Sequence, residues 1–331
     1  MQFKLRRIVI RAGIAGLFSV VFSGPLLAAD WAPERAVEIV VTTGPGGAQD
    51  RTARVMQTIL QTGKLVNVPV SVMNKPGGGG GIGLAYLNQR PGDGHYLLTT
   101  SPTILANHIV GVNKQTYTDV EPVAQLFSEY VGFAVRTDSP IKDARDLLNR
   151  LRKDPTALSA GISTSAGNHN HIAIGGVMKA AGADVKRLKI VVFKASGESV
   201  TAVLGGHIDF IATTASNLVR LAKDGKMRVI ALASPERLPG GLADVPTWRE
   251  LGVDAIGNNW RGVAAPKGTP PQQVRFWEET LKKMANTSEW KSENEKNLWV
   301  SNFMGARESV AEYKRQYAEL KEILTELGLA K

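Results

Sequence analysis

Cysteine is absent from all 331 residues. That excludes disulfides, thiolate zinc sites, a thiol nucleophile and a lipid-modified N-terminal cysteine. Lys/Arg runs of the kind that form nucleic-acid arms are missing too, so no nucleic acid is expected as a partner. The chain has no Gly-x-Ser-x-Gly elbow, no complete Ser-x-x-Lys set and no paired carboxylates at useful helical spacing. An enzyme is therefore not expected, and neither is a cofactor.

What is present begins with a leader. Lys4, Arg6, Arg7 and Arg11 precede an apolar stretch from Ile14 to Leu27, and Ala28-Ala29 comes before Asp30. This is the layout of a secretory signal peptide over residues 1–29. The alternative is a membrane anchor, but the apolar core is short for a span of about 20 residues. Removing the leader takes away four positive charges and no negative ones, so the formal +10 becomes +6. A mild positive bias suits an anionic ligand. Export without cysteine is compatible with a periplasmic protein whose core is large enough to need no staples.

Two glycine-rich turns follow short β-type runs. Val40-Val41-Thr42-Thr43 leads into Gly44-Pro45-Gly46-Gly47-Ala48-Gln49-Asp50. Val72-Met73-Asn74-Lys75-Pro76 leads into Gly77 through Gly81, then Ile82-Gly83. Bare backbone amides beside helix starts hold anions, because the N–H groups point outward and the helix dipole adds positive potential. Gly46, Gly47 and Ala48, with Thr43 and Gln49, are the first candidates. A carboxylate at Asp50 would repel an anion, so that side chain is expected to cap the helix. Gly78-x-Gly80-x-x-Gly83 formally matches a dinucleotide fingerprint. Five successive glycines satisfy it almost automatically, and Asn74-Lys75-Pro76 stretches the turn beyond a pyrophosphate cradle. Gly77 and Gly78 either line a cleft or only shape a loop.

Strands and helices alternate through the rest. Strands are expected at Val37–Thr42, Val68–Val72 and His95–Thr100, then at Val131–Val135, Leu158–Ile162, Lys189–Phe193, Ile208–Ala212 and Val229–Ala233. Helices are expected after Asp50, at Leu84–Asn88, after a Ser139 cap, and from about His171 to Ala181. The last carries Val310, Tyr313, Tyr317, Leu320, Leu324 and Leu327 as one apolar stripe. This alternation predicts an α/β fold of mostly parallel sheets flanked by helices.

Ser163-Thr164-Ser165 and Asn168 end a strand before a helix, offering hydroxyls and amides where switch-point ligands bind. Ser101 and Thr103 are similar. His169-x-His171 invites a metal, but no third ligand supports it, so no metal is expected and His169 is a candidate cleft residue. Lys194 is either a cation for the ligand or a solvated lysine. Arg261, in the expected return strand, either pairs with a distal carboxylate or serves hinge packing or an internal ion pair.

An ordered set of segments resembles one family. It runs through Gly44-Pro45-Gly46-Gly47 with Asp50, Asn74-Lys75-Pro76, Pro91-Gly92-Asp93-Gly94-His95-Tyr96, Phe193-Lys194 and Leu204-Gly205-Gly206-His207-Ile208-Asp209. It continues through Gly225-Lys226-Met227-Arg228-Val229, Ser234-Pro235-Glu236-Arg237, Asp244-Val245-Pro246-Thr247 and Asn259-Trp260-Arg261-Gly262-Val263. The set covers nearly all of residues 33–330 and resembles the receptors of tripartite tricarboxylate transporters, the Bug-type extracytoplasmic binding proteins. The resemblance implies a two-lobed periplasmic-binding-protein (Venus flytrap) fold, with residues 30–129 and 258–331 as one lobe and 130–257 as the other. It implies a small organic carboxylate such as citrate between the lobes, a monomer, and delivery to membrane permease subunits. Gln49 departs from the Trp, Ser or Thr often found there in relatives. The other classes left open are an exported hydrolase and the ligand-binding partner of a sensor.

Overall fold

A computed structural model describes residues 31–163, 165–193 and 196–331. The expected leader, Thr164 and Lys194 lie outside the described residues. The chain first builds β1 (Val37–Val41), α1 (Ala48–Thr62), β2 (Val70–Asn74), α2 (Gly81–Asn88), β3 (Tyr96–Thr100), α3 (Thr103–Ile109) and β4 (Val120–Ser128). It then crosses to β5 (Val131–Arg136), α4 (Ala144–Lys153), β6 (Ser159–Ser163), α5 (His169–Ala180), β7 (Lys189–Phe193), α6 (Ser196–Leu204), β8 (Phe210–Thr214), α7 (Ala215–Lys223) and β9 (Met227–Leu232). It returns through β10 (Arg261–Pro266), α8 (Pro271–Ala285), α9 (Ser288–Asn297), β11 (Val300–Met304) and α10 (Ala306–Glu326).

These strands form two mixed sheets, ordered β11-β4-β10-β3-β1-β2 and β7-β6-β8-β5-β9. The parallel pairing expected from βαβ alternation holds for β2-β1-β3 and for β7-β6-β8. The remaining pairs are antiparallel because β4, β5 and β10 are the strands that carry the chain between sheets. The outward crossing lies at Glu129–Tyr130 and the return at Asn258–Trp260. The two crossings hydrogen-bond to each other, with Asn259 N donating to Glu129 O at 2.7 Å and Val131 N to Gly257 O at 3.0 Å.

Each sheet is covered on both faces. Along β1, Val37, Ile39 and Val41 enter one core cluster with Trp277, Trp290 and Phe127. Val40 points the other way, into a cluster with Leu98, Trp260 and Tyr313. That alternation explains why β1 reads as a continuous apolar run. Burying each such large side chain stabilises the fold by about 1.5–3 kcal/mol. Helix α1 buries the expected Ala53, Met56, Ile59 and Leu60, and Gly63 ends it by donating to Ile59 O at 2.9 Å.

Some local expectations shift. Gly47, not Asp50, is the N-cap of α1, and Asp50 sits in its first turn. Asp143, not Ser139, caps α4, accepting from Asp146 N at 2.8 Å, while Ser139 Oγ accepts from Ile141 N in the preceding turn. On α10 Val310 is exposed, whereas Tyr313 and Leu324 are buried. Strand β4 is hidden in the sequence by Pro122, which is tolerated because it pairs beside a register shift in β10. No helix among the described residues is long and apolar enough to cross a membrane.

Candidate ligand site

The turns after β1, β2 and β3 leave from the carboxyl ends of neighbouring parallel strands, so they gather on one edge of the first sheet. There they enclose a cavity of about 20 Å³ lined by Thr42, Gln49, Gly79, Gly80, Thr99, Thr100, Ser101 and Thr103. That volume is the room of one water molecule.

A chain of neutral hydrogen bonds crosses this site. Thr42 Oγ1 donates to Gln49 Oε1 at 2.8 Å, Gln49 Nε2 donates to Ser101 Oγ at 2.9 Å, and Ser101 Oγ donates to Thr103 Oγ1 at 3.1 Å. Gln49 and Ser101 are buried. Helix α1 supplies further donors, since the amides of its first turn, those of Ala48 and Gln49 included, have no intrahelical acceptor. Gly46 is different, because its N–H donates to Asp50 Oδ2 at 2.8 Å. Asp50 also accepts from Arg54 Nε and from Asn74 Nδ2, both at 2.9 Å. Burial alone would raise this carboxyl's pKa. The hydrogen bonds from Arg54, Gly46 and Asn74 outweigh it and hold the group below its ordinary value. Thr43 Oγ1 is buried beside Gly47 with no hydrogen-bond partner among the described residues.

In the second turn Gly77, Gly78 and Gly79 are exposed, and Gly79 and Gly80 line the cavity. All four have positive φ, from 56° to 118°, which L side chains rarely adopt. Asn107 of α3 pins this turn by donating from Nδ2 to Gly79 O at 2.6 Å. Nothing in the sequence singled out Asn107, since its partner is a backbone carbonyl 28 residues away.

From the second sheet, β6 ends at Ser163 and a turn through Ser165 leads to α5. Asn168 caps α5, accepting from His171 N at 2.9 Å. Gly167 N donates to His171 Nδ1 at 3.0 Å, which requires a neutral ring, and burial lowers the His171 pKa to about 4. His169 is the first residue of α5. Burial, aided by the nearby Arg261 charge, lowers its pKa to about 3, and its Nδ1 is enclosed with no hydrogen-bond partner among the described residues. The described residues contain no group of three His, Cys, Asp or Glu fit to hold a metal.

Arg261 sits at the crossing between the sheets, 3% exposed. One terminal nitrogen donates to Asn259 O at 2.7 Å and Trp260 O at 3.0 Å; the other donates to Glu129 Oε2 at 3.1 Å. Glu129, fully buried, also accepts from Ser216 Oγ of α7. Of the two roles open to Arg261, the structure displays the internal ion pair, and only Nε lacks a partner among the described residues. Glu129 was invisible in sequence because a lone Glu after a strand carries no pattern.

Comparison with known proteins agrees with this architecture. The model of the tripartite tricarboxylate transporter family receptor, TctC, matches residues 52–329. A protein of Cupriavidus necator, called UPF0065 protein in gbd 5'region, is 26% identical over 330 residues, covering 98% of each chain. A crystal structure of a TctC solute binding protein from Polaromonas is 25% identical with TM-score 0.71, covering 89% of this chain and 99% of that one. The R. palustris protein Rpa4515, solved with adipate, is 22% identical with TM-score 0.80 and coverage of 90% and 99%. The chain belongs to the tripartite tricarboxylate transporter receptor family, and with it to substrate-binding receptors rather than enzymes.

Proposed function

We propose that this receptor captures a small organic di- or tricarboxylate, such as adipate or citrate, between two lobes and hands it to the permease subunits of a tripartite tricarboxylate transporter. Receptors of the family are periplasmic, take small carboxylates and work with such transporters. In this reading residues 1–29 direct export, residues 30–129 with 258–331 form one lobe, residues 130–257 form the other, and the chain acts as a monomer.

The carrying observation is the uncharged hydrogen-bond chain Thr42–Gln49–Ser101–Thr103 at the start of α1, buried at Gln49 and Ser101. A carboxylate leaving water needs donors to replace its hydration shell, and each hydrogen bond to the charged group contributes about 1.5–3 kcal/mol. The Thr103 hydroxyl, the second N–H of the Gln49 amide and first-turn N–H groups supply them without a fixed counter-charge. The adipate held by Rpa4515, which shares this fold, supports a two-ended acid as ligand. Contacts from both lobes are needed, because a ligand touching one lobe has no preference for the closed state. Ser165, Asn168 and His169 are the described candidates on the opposing side.

Titration calorimetry on protein unfolded, stripped and refolded tests this. At least one among adipate, citrate and shorter dicarboxylates is expected to bind at micromolar affinity or tighter, on the order of 8 kcal/mol. Absence of binding by every carboxylate offered would overturn the reading.

A further inference from the structure

Helices α3 and α5 come from different sheets, and each begins at the ligand side. Thr103 starts α3 and lines the cavity, and Asn107 farther along it holds Gly79. Asn168 and His169 start α5. Residues 324–331 lie against both. On the α3 side, Leu324 packs with Ala106, Ile109 and Val110, and Lys331 N donates to Ile109 O at 3.0 Å. On the α5 side, Ile172 joins the same apolar cluster, and Leu327 covers Gly175 so closely that a Cβ there would lie 3.0 Å from it. Lys179 Nζ reaches Glu326 at 2.7 Å and Glu322 at 3.6 Å. Ile172, Gly175 and Lys179 are spaced by three and four residues, so they form one stripe along α5.

The glycines matter to this fit. Gly175 lets Leu327 approach the α5 backbone. Gly167, just before α5, has φ of 77° and would place a Cβ 2.8 Å from Val110. The two helices therefore meet through Val110 and Gly167 directly, and through the 324–331 segment along their remaining length.

We infer that residues 324–331 are a strap that sets the spacing of α3 and α5 and so the balance between open and closed cleft. This rests on the two-lobe reading above. Loosening the strap shifts the population toward open forms, and apparent affinity falls by the fraction lost from the competent state.

Hydrogen exchange on the ligand-free full chain tests the strap directly. Leu327→Ala removes the covering side chain, and Gly175→Leu wedges it away from the opposite side. Each is expected to raise exchange about tenfold or more in residues 104–112 and 166–176 while the amides of β1 and β3 stay protected. The combination Gly175→Leu with Leu327→Ala refills the same space and is expected to return exchange toward wild type, which a general loss of stability would not do. Adipate affinity is expected to drop by about tenfold in each single variant and to recover in the pair. Faster exchange confined to residues 320–331, or spread evenly over both sheets, would overturn the strap. Exchange is read without ligand, so its outcome does not depend on whether any carboxylate binds.

Discussion

Gln49 Nε2 donates to Ser101 Oγ at 2.9 Å, joining the turn after β1 to the turn after β3 across 52 residues of sequence. With Thr42 on its carbonyl side, the Gln49 amide is fixed in one orientation. Gln49→Ala is expected to cost about 1 kcal/mol of stability and at least about tenfold in adipate affinity. Gln49→Glu keeps the size but sets a negative charge on the wall of the proposed site, so binding should vanish. Calorimetry on both variants checks this; unchanged binding by the Glu variant would remove Gln49 from the site.

Asp50 is a framework residue that occupies the Gly46 amide. It engages Gly46, Arg54 and Asn74, and its side chain is 3% exposed. Asp50→Ala strands these donors and should cost about 2–4 kcal/mol, read by urea unfolding at pH 7. Its pKa is depressed, so the contribution is present above the unfolded value of 3.8 and is lost as pH falls through the folded one. The gap between wild type and variant should therefore close below about pH 4.

The contrast between Gln49 and Asp50 shows what sequence carried. The glycine turn and the helix start are local, so the location of α1 and its apolar face was readable from residues 40–63. Which side chain faces the cavity depends on where β2 and β3 dock, and neither Asn74 nor Ser101 is near in sequence. That Gly79 and Gly80 line the cavity was hidden for the same reason, since Asn107 on α3 holds that part of the run. Arg261 stood out as an Arg in a return strand, but its partner Glu129 lies 132 residues away.

His171 predicts a pH slope. The folded chain keeps it neutral, with pKa about 4, against 6.5 when exposed. Between pH 6.5 and 4 the unfolded chain therefore binds a proton that the folded chain refuses, and stability falls as pH falls, by roughly 3 kcal/mol at most. His169 adds a contribution of the same sign. His171→Gln should flatten the slope in part, measured by denaturant unfolding at pH 7 and 5. An unchanged slope would mean that His171 titrates normally.

Gly262 offers a test of close packing beneath the cavity. A Cβ at this position would overlap Tyr313 Oη and lie 2.8 Å from Thr100 Oγ1 and 2.9 Å from Ala124 O. Tyr313 cannot retreat, because its ring stacks on Trp260 at 4.3 Å and is 1% exposed. Gly262→Ala should cost about 1–3 kcal/mol. Tyr313→Phe removes one clashing atom and should recover part of that loss in the double variant, a coupling visible in a thermal unfolding cycle.

Arg261 and Glu129 decide between the two roles that an arginine at this crossing can play. Both are nearly inaccessible, at 3% and 0% exposure. Arg261→Met leaves a buried carboxylate facing only Ser216 Oγ and should cost about 3–5 kcal/mol. Removing the second charge as well, with Glu129→Gln, should restore most of that stability, because a buried pair replaced on both sides is far less harmful than one broken. Ligand binding by the folded double variant then separates the roles. If the guanidinium serves the crossing alone, adipate affinity should stay within about threefold of wild type, since the Gln49–Ser101 chain is untouched. A loss beyond about a hundredfold, equivalent to about 2.8 kcal/mol, with the fold intact would assign the free Nε to the ligand instead.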